Sequence, residues 1–324
     1  MAVVSATDEV AATRSRSGPD SSEPPARRKR VRQFTARDKR DFPIFLVLAL
    51  PNIALIVAFI YRPVIQNFYY STLDWTTGST SATNIGLANY QEFFGDPEAI
   101  DVLRVTLVFT VVTVAGSMAL GLLLATVLNR KLAGRTFARA TIFAPYVLSG
   151  VGVGLIWVFI FDPTVGVLGA ILRGLGGSSP EWFNNDNLTL WMVVIVYVWK
   201  NLGYCAVIYL AAMQAVPKDL LEAAAIDGAS GKRAFFSVIL PLLSPTTFFL
   251  LLTTMLNSLQ AFDLIRIMTP LGNGTTTLMY ESYLQAFSVG RAGYSAAVST
   301  ILFAILLLMT VVQLGVLERK VHYS

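Results

Sequence analysis

The sequence predicts an all-α polytopic membrane protein with six transmembrane helices, and three observations lead there. The 324 residues are 54% hydrophobic and 14% charged, against about 45–50% apolar and about 25% charged in soluble domains. Six apolar runs each approach or exceed the roughly 20 residues that a helix needs to cross a hydrocarbon core of about 30 Å. The basic residues are also unevenly shared between alternate connections, as the retention of Lys and Arg on the cytoplasmic side requires.

The first 41 residues hold ten Lys/Arg and six Asp/Glu, with SRSGPDSSEPPARRKR at their centre. Few bulky apolar side chains are present to offset chain entropy, so residues 1–41 are expected to be a disordered basic cytoplasmic tail. The tail carries most of the formal net charge of +5, which removes the case for a folded nucleic-acid-binding face. It is too long and polar for a signal-peptide n-region. No small-residue cleavage site follows the first apolar run, which is therefore expected to remain as an anchor helix.

The runs fall at roughly 43–62, 105–129, 140–162, 188–213, 235–258 and 294–317, so residues 42–324 are expected to form one six-helix domain. Pro51, Pro145, Pro241 and Pro245 lie inside them and predict kinks that neighbouring helices can tolerate. Nineteen Lys/Arg sit in the two tails and the second and fourth connections. Five (Arg62, Arg104, Arg173, Arg266 and Arg291) sit on the other side. Both termini are thus expected in the cytoplasm of a multi-pass protein of the inner cell membrane. The longer connections, 63–104, 163–187 and 259–293, are expected outside, carrying Trp75, Tyr90, Trp182 and Tyr283 at an interface or toward an external partner.

Counting excludes several chemistries. One cysteine, Cys205, permits no intrachain disulfide and no thiolate cluster, and one histidine, His322, permits no multi-histidine metal site, so none is expected. Gly228-Ala229-Ser230-Gly231 imitates the motif of intramembrane serine proteases, but no histidine lies in any of the six runs to serve as base. A phosphate-cradling loop is also missing. Gly231-Lys232 is followed by Arg233 where Ser or Thr belongs, and Ile226 stands where the first Gly belongs. No enzymatic activity of this chain is expected.

The fourth connection, residues 214–234, is the most informative. Pro217 and Gly228 bracket a short helix, Pro suiting a first turn and Gly a left-handed C-cap. Leu220, Ala224 and Asp227 share a face, and the small Ala223 and Ala225 permit close approach by another surface. Glu222-Ala223-Ala224, three residues, Gly228, nine residues, then Val238-Ile239-Leu240-Pro241 resembles the EAA loop of the permease subunits of ATP-binding cassette importers. Val238 replaces Ile, a β-branched residue in either case. Val198-Trp199-Lys200, Leu210–Pro217, Ala225–Ala229 and Phe262-Asp263 are similar to the carbohydrate and glycerol-phosphate branch, so the resemblance covers roughly residues 43–324.

That resemblance implies a coupling helix seated on an ATPase subunit, with Glu222 as charged contact, Ala223 and Ala224 as packing surface, Asp227 on the docking face and Gly228 as turn. It implies a second homologous permease, a dimer of ATP-binding cassette ATPases and an extracytoplasmic solute-binding protein. ATP and Mg would lie on the ATPase partner, with no cofactor on this chain.

Two polar stripes mark a candidate substrate pathway. Tyr197, Lys200, Asn201 and Tyr204 recur at i, i+3, i+4 and i+7, and Thr253, Asn257 and Gln260 repeat the pattern with Asp263 one turn on. Aromatic faces with amide and hydroxyl groups suit a sugar or polyol, and Lys200 would attract a phosphate. Lys200 costs about 2.5–3.5 kcal/mol at a bilayer centre, so it is expected to face a cavity or to pair with a carboxylate or helix carbonyls. Gly150 and Gly154 are expected at a close helix contact. The alternative class is an ion-coupled secondary transporter of a small polar solute, against which the scarcity of acidic residues in the runs counts. A structural scaffold would not require the loop spacing.

Overall fold

The computed structural model describes residues 36–130, 134–229 and 231–317, with side chains for those between 43 and 315. The expected tail therefore lies outside the described residues up to position 35, as do Lys131, Ser230, Arg319, Lys320 and His322. The helix α1 (Ala36–Ile56) begins inside the stretch assigned to the tail.

The chain divides into two compact units, Met1–Val57 and Ala58–Ser324. In the first, α1 carries Pro43 and Pro51 without interruption. Each ring removes one intrahelical hydrogen bond, but the Leu, Ile and Ala around Pro51 keep the helical register.

The second unit runs through α2 (Arg62–Tyr70), a two-residue antiparallel ladder of β1 (Leu73–Asp74) and β2 (Thr83–Asn84) in register Leu73↔Asn84, and α3 (Ala88–Gly95). Then come α4 (Pro97–Leu128), α5 (Arg135–Val147), α6 (Gly150–Phe161), α7 (Val167–Gly174) and α8 (Asp186–Ala215). They are followed by α9 (Lys218–Ile226), α10 (Gly231–Ala234), α11 (Leu240–Leu242) and α12 (Ser244–Leu259). The last are α13 (Asp263–Met268), α14 (Leu278–Tyr283) and α15 (Ala292–Val312). The ladder is a small departure from an all-α reading.

Four helical runs among the described residues are individually long and apolar enough to cross a bilayer: Pro43–Tyr70, Pro97–Leu128, Asp186–Ala215 and Ala292–Gly315. The third and fifth expected spans are not single helices. Arg135–Val147 and Gly150–Phe161 meet at 98°, and Gly231–Leu242 and Ser244–Leu259 at 64°. Six spans result only with each bent pair taken as one. Proline lies next to both breaks. Beyond Pro145 the backbone turns extended at Leu148 and Ser149. Pro241 and Pro245 flank the Leu243 break, preceded by a π-helical turn, Phe235–Ile239.

The core forms around α4 against α8. Asp96 caps α4 by accepting the Glu98 N–H at 2.9 Å, and Asn185 caps α8 through the Leu188 N–H at 3.2 Å. Phe109, Val153, Met192, Val193 and Ile265 fill one apolar cluster, and Leu128, Tyr209, Leu243 and Leu250 another. Buried hydroxyls tie the helices where apolar contact alone gives little drive in lipid. Thr113 and Ser258 join α4 to α12 at 2.7 Å, and Thr106 accepts the Leu278 N–H at 2.9 Å. Asn67 donates to the Ala296 carbonyl at 3.2 Å and to Thr300 at 3.1 Å, fixing α2 on α15. The Gly150–Gly154 face of α6 packs on α13, as its spacing implies: added β-carbons would lie 3.0 Å from Asp263 and 2.9 Å from Ile267.

At Gly203 of α8 the helices approach so closely that an added β-carbon would land on the Ile142 carbonyl of α5. Gly203→Val is expected to destabilise the fold by about 1–3 kcal/mol or more, since backbone must give way. Gly152→Ala, whose β-carbon meets nothing within 4 Å, is expected to leave stability unchanged or raise it by up to about 1 kcal/mol. Thermal unfolding of the two purified variants in one detergent checks the contrast.

Candidate functional site

The loop expected to dock a partner is built by ordinary helix chemistry. KDLLEAAAI consists mostly of strong helix formers. Ahead of it Val216 and Pro217 are extended, which separates α9 from α8. At its end the Gly228 N–H bonds the Ala225 carbonyl at 3.1 Å, and the Ala229 N–H bonds the Ala224 carbonyl at 2.9 Å. With Gly228 at φ +75°, this is a Schellman closure. The motif's spacing follows from it, because Ala224 occupies the third-to-last helical position when Gly228 supplies the left-handed residue.

This helix is scarcely used by its own chain. It buries none of its residues. Glu222, Ala223, Asp227 and Gly228 are exposed and Ala224 is half-buried. Leu220 and Ile226 stand 45% and 87% exposed, an apolar surface that a solvated loop has no reason to keep.

The two polar stripes meet in part. Tyr197 of α8 donates to the Asn257 carbonyl of α12 at 2.9 Å, and the Tyr204 hydroxyl lies 3.4 Å from that of Thr253. Asn257, Gln260 and Asp263 are exposed, whereas Asn201 is buried with its amide donating to the Tyr197 carbonyl of its own helix at 2.8 Å. Lys200 is turned to other work. Its ammonium donates to the Tyr146 carbonyl at 2.8 Å and to the Pro145 carbonyl at 3.4 Å.

These carbonyls lie at the end of α5, where the break leaves acceptors unpaired and the helix dipole favours a cation. Tyr204 stacks on Tyr146 with ring centroids 4.8 Å apart, so the α8 stripe grips the broken helix on one side and α12 on the other. Tyr146 went unrecognised in the sequence; its place next to Pro145 was the available signal.

Several outer-connection aromatics are occupied within the chain. Trp75 donates to the Ser79 carbonyl at 3.0 Å, Tyr90 to the Ser71 hydroxyl at 2.6 Å, and Trp182 packs edge-on to Phe161 at 4.9 Å. Groups of three or more His, Cys, Asp or Glu able to hold a metal are absent among the described residues.

Comparison with known proteins bears on this arrangement. Residues 117–323 match the family model described as binding-protein-dependent transport system inner membrane component. The sn-glycerol-3-phosphate transport system permease protein UgpA of Agrobacterium fabrum is 38% identical over 281 residues, covering 86% of this chain and 96% of that protein. The protein of the same name from Yersinia pestis is 34% identical over 281 residues, covering 86% and 95%. In fold, a chain of a bacterial ABC transporter involved in the import of the acidic polysaccharide alginate superposes with a TM-score of 0.76 at 21% identity, over 87% of this chain and 96% of that one. A chain of the alginate transporter in complex with its alginate pentasaccharide-bound periplasmic protein gives 0.75 at 21% identity, over 85% and 93%. By the family model and by these relatives, the chain belongs to the family of binding-protein-dependent transport system inner membrane components.

Proposed function

We propose that this chain is one of two homologous permease subunits of an ATP-driven importer for a glycerol-phosphate-type solute, sn-glycerol 3-phosphate or a glycerophosphodiester. A solute-binding protein delivers the cargo outside, and a dimer of ATP-binding cassette ATPases, holding ATP and Mg, drives the cycle from the cytoplasm. The chain itself performs no hydrolysis. Both termini and α9 are on the cytoplasmic side in this reading, consistent with the excess of Lys and Arg there.

The observation that carries the coupling role is the exposure of α9, with Leu220 and Ile226 uncovered beside Glu222. The helix fits a groove: apolar side chains to bury, alanines for close approach, and one carboxylate to pair with a basic group. The solute class is supported by the name shared by the 34% and 38% identical relatives and by the exposed amides and carboxylate of Asn257, Gln260 and Asp263. Solute binding outside, ATP binding inside and movement of α9 would together switch which end of the pathway is open.

Lys200 has a positioning role in this scheme, holding the end of α5 while the two halves of the broken span change their angle. Broken spans also occur in ion-coupled transporters. Uptake in proteoliposomes that needs both ATPase and ATP supports the present reading, and uptake by this chain alone under an ion gradient refutes it.

Glu222→Lys is expected to abolish co-purification of the ATPase and reduce uptake to background while the protein still inserts; affinity purification and uptake of radiolabelled solute check this, and normal uptake overturns the coupling role. Lys200→Met is expected to slow uptake severalfold by the same factor for every solute carried, with Lys200→Arg closer to wild type. A loss confined to phosphorylated solutes would instead make Lys200 a solute contact.

A further inference from the structure

Four polar side chains are exposed at the C-terminal end of α12 and along the short α13. Asn257, Gln260, Asp263 and Arg266 recur in steps of three and are all exposed, whereas Ser258, Leu259, Ala261, Leu264 and Ile265 between them are buried. Amides and charges at or beside a membrane span turn toward an aqueous path or a partner, because hydrocarbon cannot solvate them. Three of the four belong to the candidate pathway. The fourth, Arg266, does not figure in it.

Arg266 is held from one side. Its guanidinium carbon lies 4.5 Å from the Tyr283 ring centroid and 6.0 Å from that of Phe262. The two rings lie 4.8 Å apart, and Tyr280, anchored by a 2.7 Å bond to the Pro270 carbonyl, stacks beyond Tyr283 at 6.3 Å. Ring contacts of this kind fix the plane of a guanidinium without occupying its N–H groups. Among the described residues, no hydrogen bond or ion pair takes those groups up. Two other outward arginines differ, since Arg291 pairs with Glu92 at 2.6 Å and Arg173 donates to the carbonyls of Pro163 and Thr164. Arg62 and Arg104 have no such partner among the described residues, but neither rests on an aromatic ring as Arg266 does.

We infer that Arg266 is the phosphate-reading group of the pathway: an oriented guanidinium on a Phe262–Tyr283 aromatic support that binds the anionic head of the solute. The solute's hydroxyl groups then lie along Asp263, Gln260 and Asn257. This rests on the proposed importer function and deepens it. A guanidinium presents paired parallel N–H donors that match two phosphate oxygens. Asp263 accepts from hydroxyl groups and repels a second phosphate, which sets the polarity of the bound molecule. The set therefore fits a phosphate ester with a short hydroxylated tail. With the orientation proposed above, the phosphate lies at the outer end.

The test uses the complete transporter, both permeases with the ATPase dimer, in lipid nanodiscs. Phenylglyoxal modification of Arg266 is followed by mass spectrometry in millimolar sn-glycerol 3-phosphate, inorganic phosphate, glycerol, or sodium chloride at matched ionic strength. Both phosphate compounds are expected to slow modification about fivefold or more, glycerol and chloride not at all. Equal reactivity in all four, or equal protection by chloride, overturns the inference.

In proteoliposomes supplied with the binding protein, Arg266→Gln is expected to reduce sn-glycerol 3-phosphate uptake about tenfold or more, as loss of a charge-assisted pair implies. Arg266→Lys should keep a larger share, and the subunits should co-purify in wild-type proportion. Uptake by Arg266→Gln within twofold of wild type overturns the inference. Failure of that variant to assemble also overturns it, by making Arg266 a subunit contact. Wild-type vesicles that carry no glycerol 3-phosphate while phosphate still protects Arg266 would refute the cargo and leave the anion site standing. Unprotected Arg266 with intact uptake would do the reverse.

Discussion

A helix that breaks inside a membrane frees carbonyl groups in a medium without water to receive them, and each costs several kcal/mol if left alone. The break after Val147 creates this deficit, and Lys200 carries the opposite one, a cation with no place in hydrocarbon. The 2.8 Å bond from Lys200 to the Tyr146 carbonyl meets both needs at once. With the Tyr146–Tyr204 stack, it ties the broken span to α8. The 2.9 Å bond from Tyr197 to the Asn257 carbonyl ties α8 in turn to α12. Three elements are thus registered by side chains from one face of one helix.

What the sequence made legible was mostly local. The six apolar runs could be read because crossing a bilayer demands length and hydropathy, whatever the packing. The loop could be read because the interval from Ala224 to Gly228 is set by hydrogen bonds within a single helix end. The prolines announced strain at positions 145, 241 and 245, but whether a helix bends gently or turns through 98° depends on what meets its freed carbonyls. The donor for Pro145 lies 55 residues away. Periodicity put Lys200 and Asn201 on a shared stripe without showing where their polar atoms would go. Asn201 satisfies its amide one turn back in its own helix, a local bond that the interval to Tyr197 already permitted.

Arg266 shows the same limit from the other direction. Its three-residue interval from Asp263 is plain in the sequence. Its aromatic support is not, because Tyr283 is brought to it by the chain's return through α14. Long-range ring contacts leave no periodic trace, so the residue looked like one more outward arginine.

Two surfaces of this chain have the polarity that their surroundings would reject. Ile226 is an apolar side chain 87% exposed on a helix within a charged loop. The exposed side chains of Asn257, Gln260, Asp263 and Arg266 are polar at the end of an apolar span. Burial of apolar area gives about 25 cal/mol per Å², and hydration of these polar side chains avoids a far larger desolvation penalty. In the proposed importer, the first surface would be covered by the ATPase and the second hydrated along the solute path. They are also joined by the backbone. From α9 the chain passes through α10, the π-helical turn at Phe235–Ile239 and α11, then enters α12, which ends at the polar side chains. In the proposed importer, force applied to α9 enters α12 at its near end, through the proline-flanked bend of 64° at Leu243. At that bend the regular helix is already interrupted. The opposite end, pinned to α8 through Tyr197, is where a change of angle would alter the space around the solute.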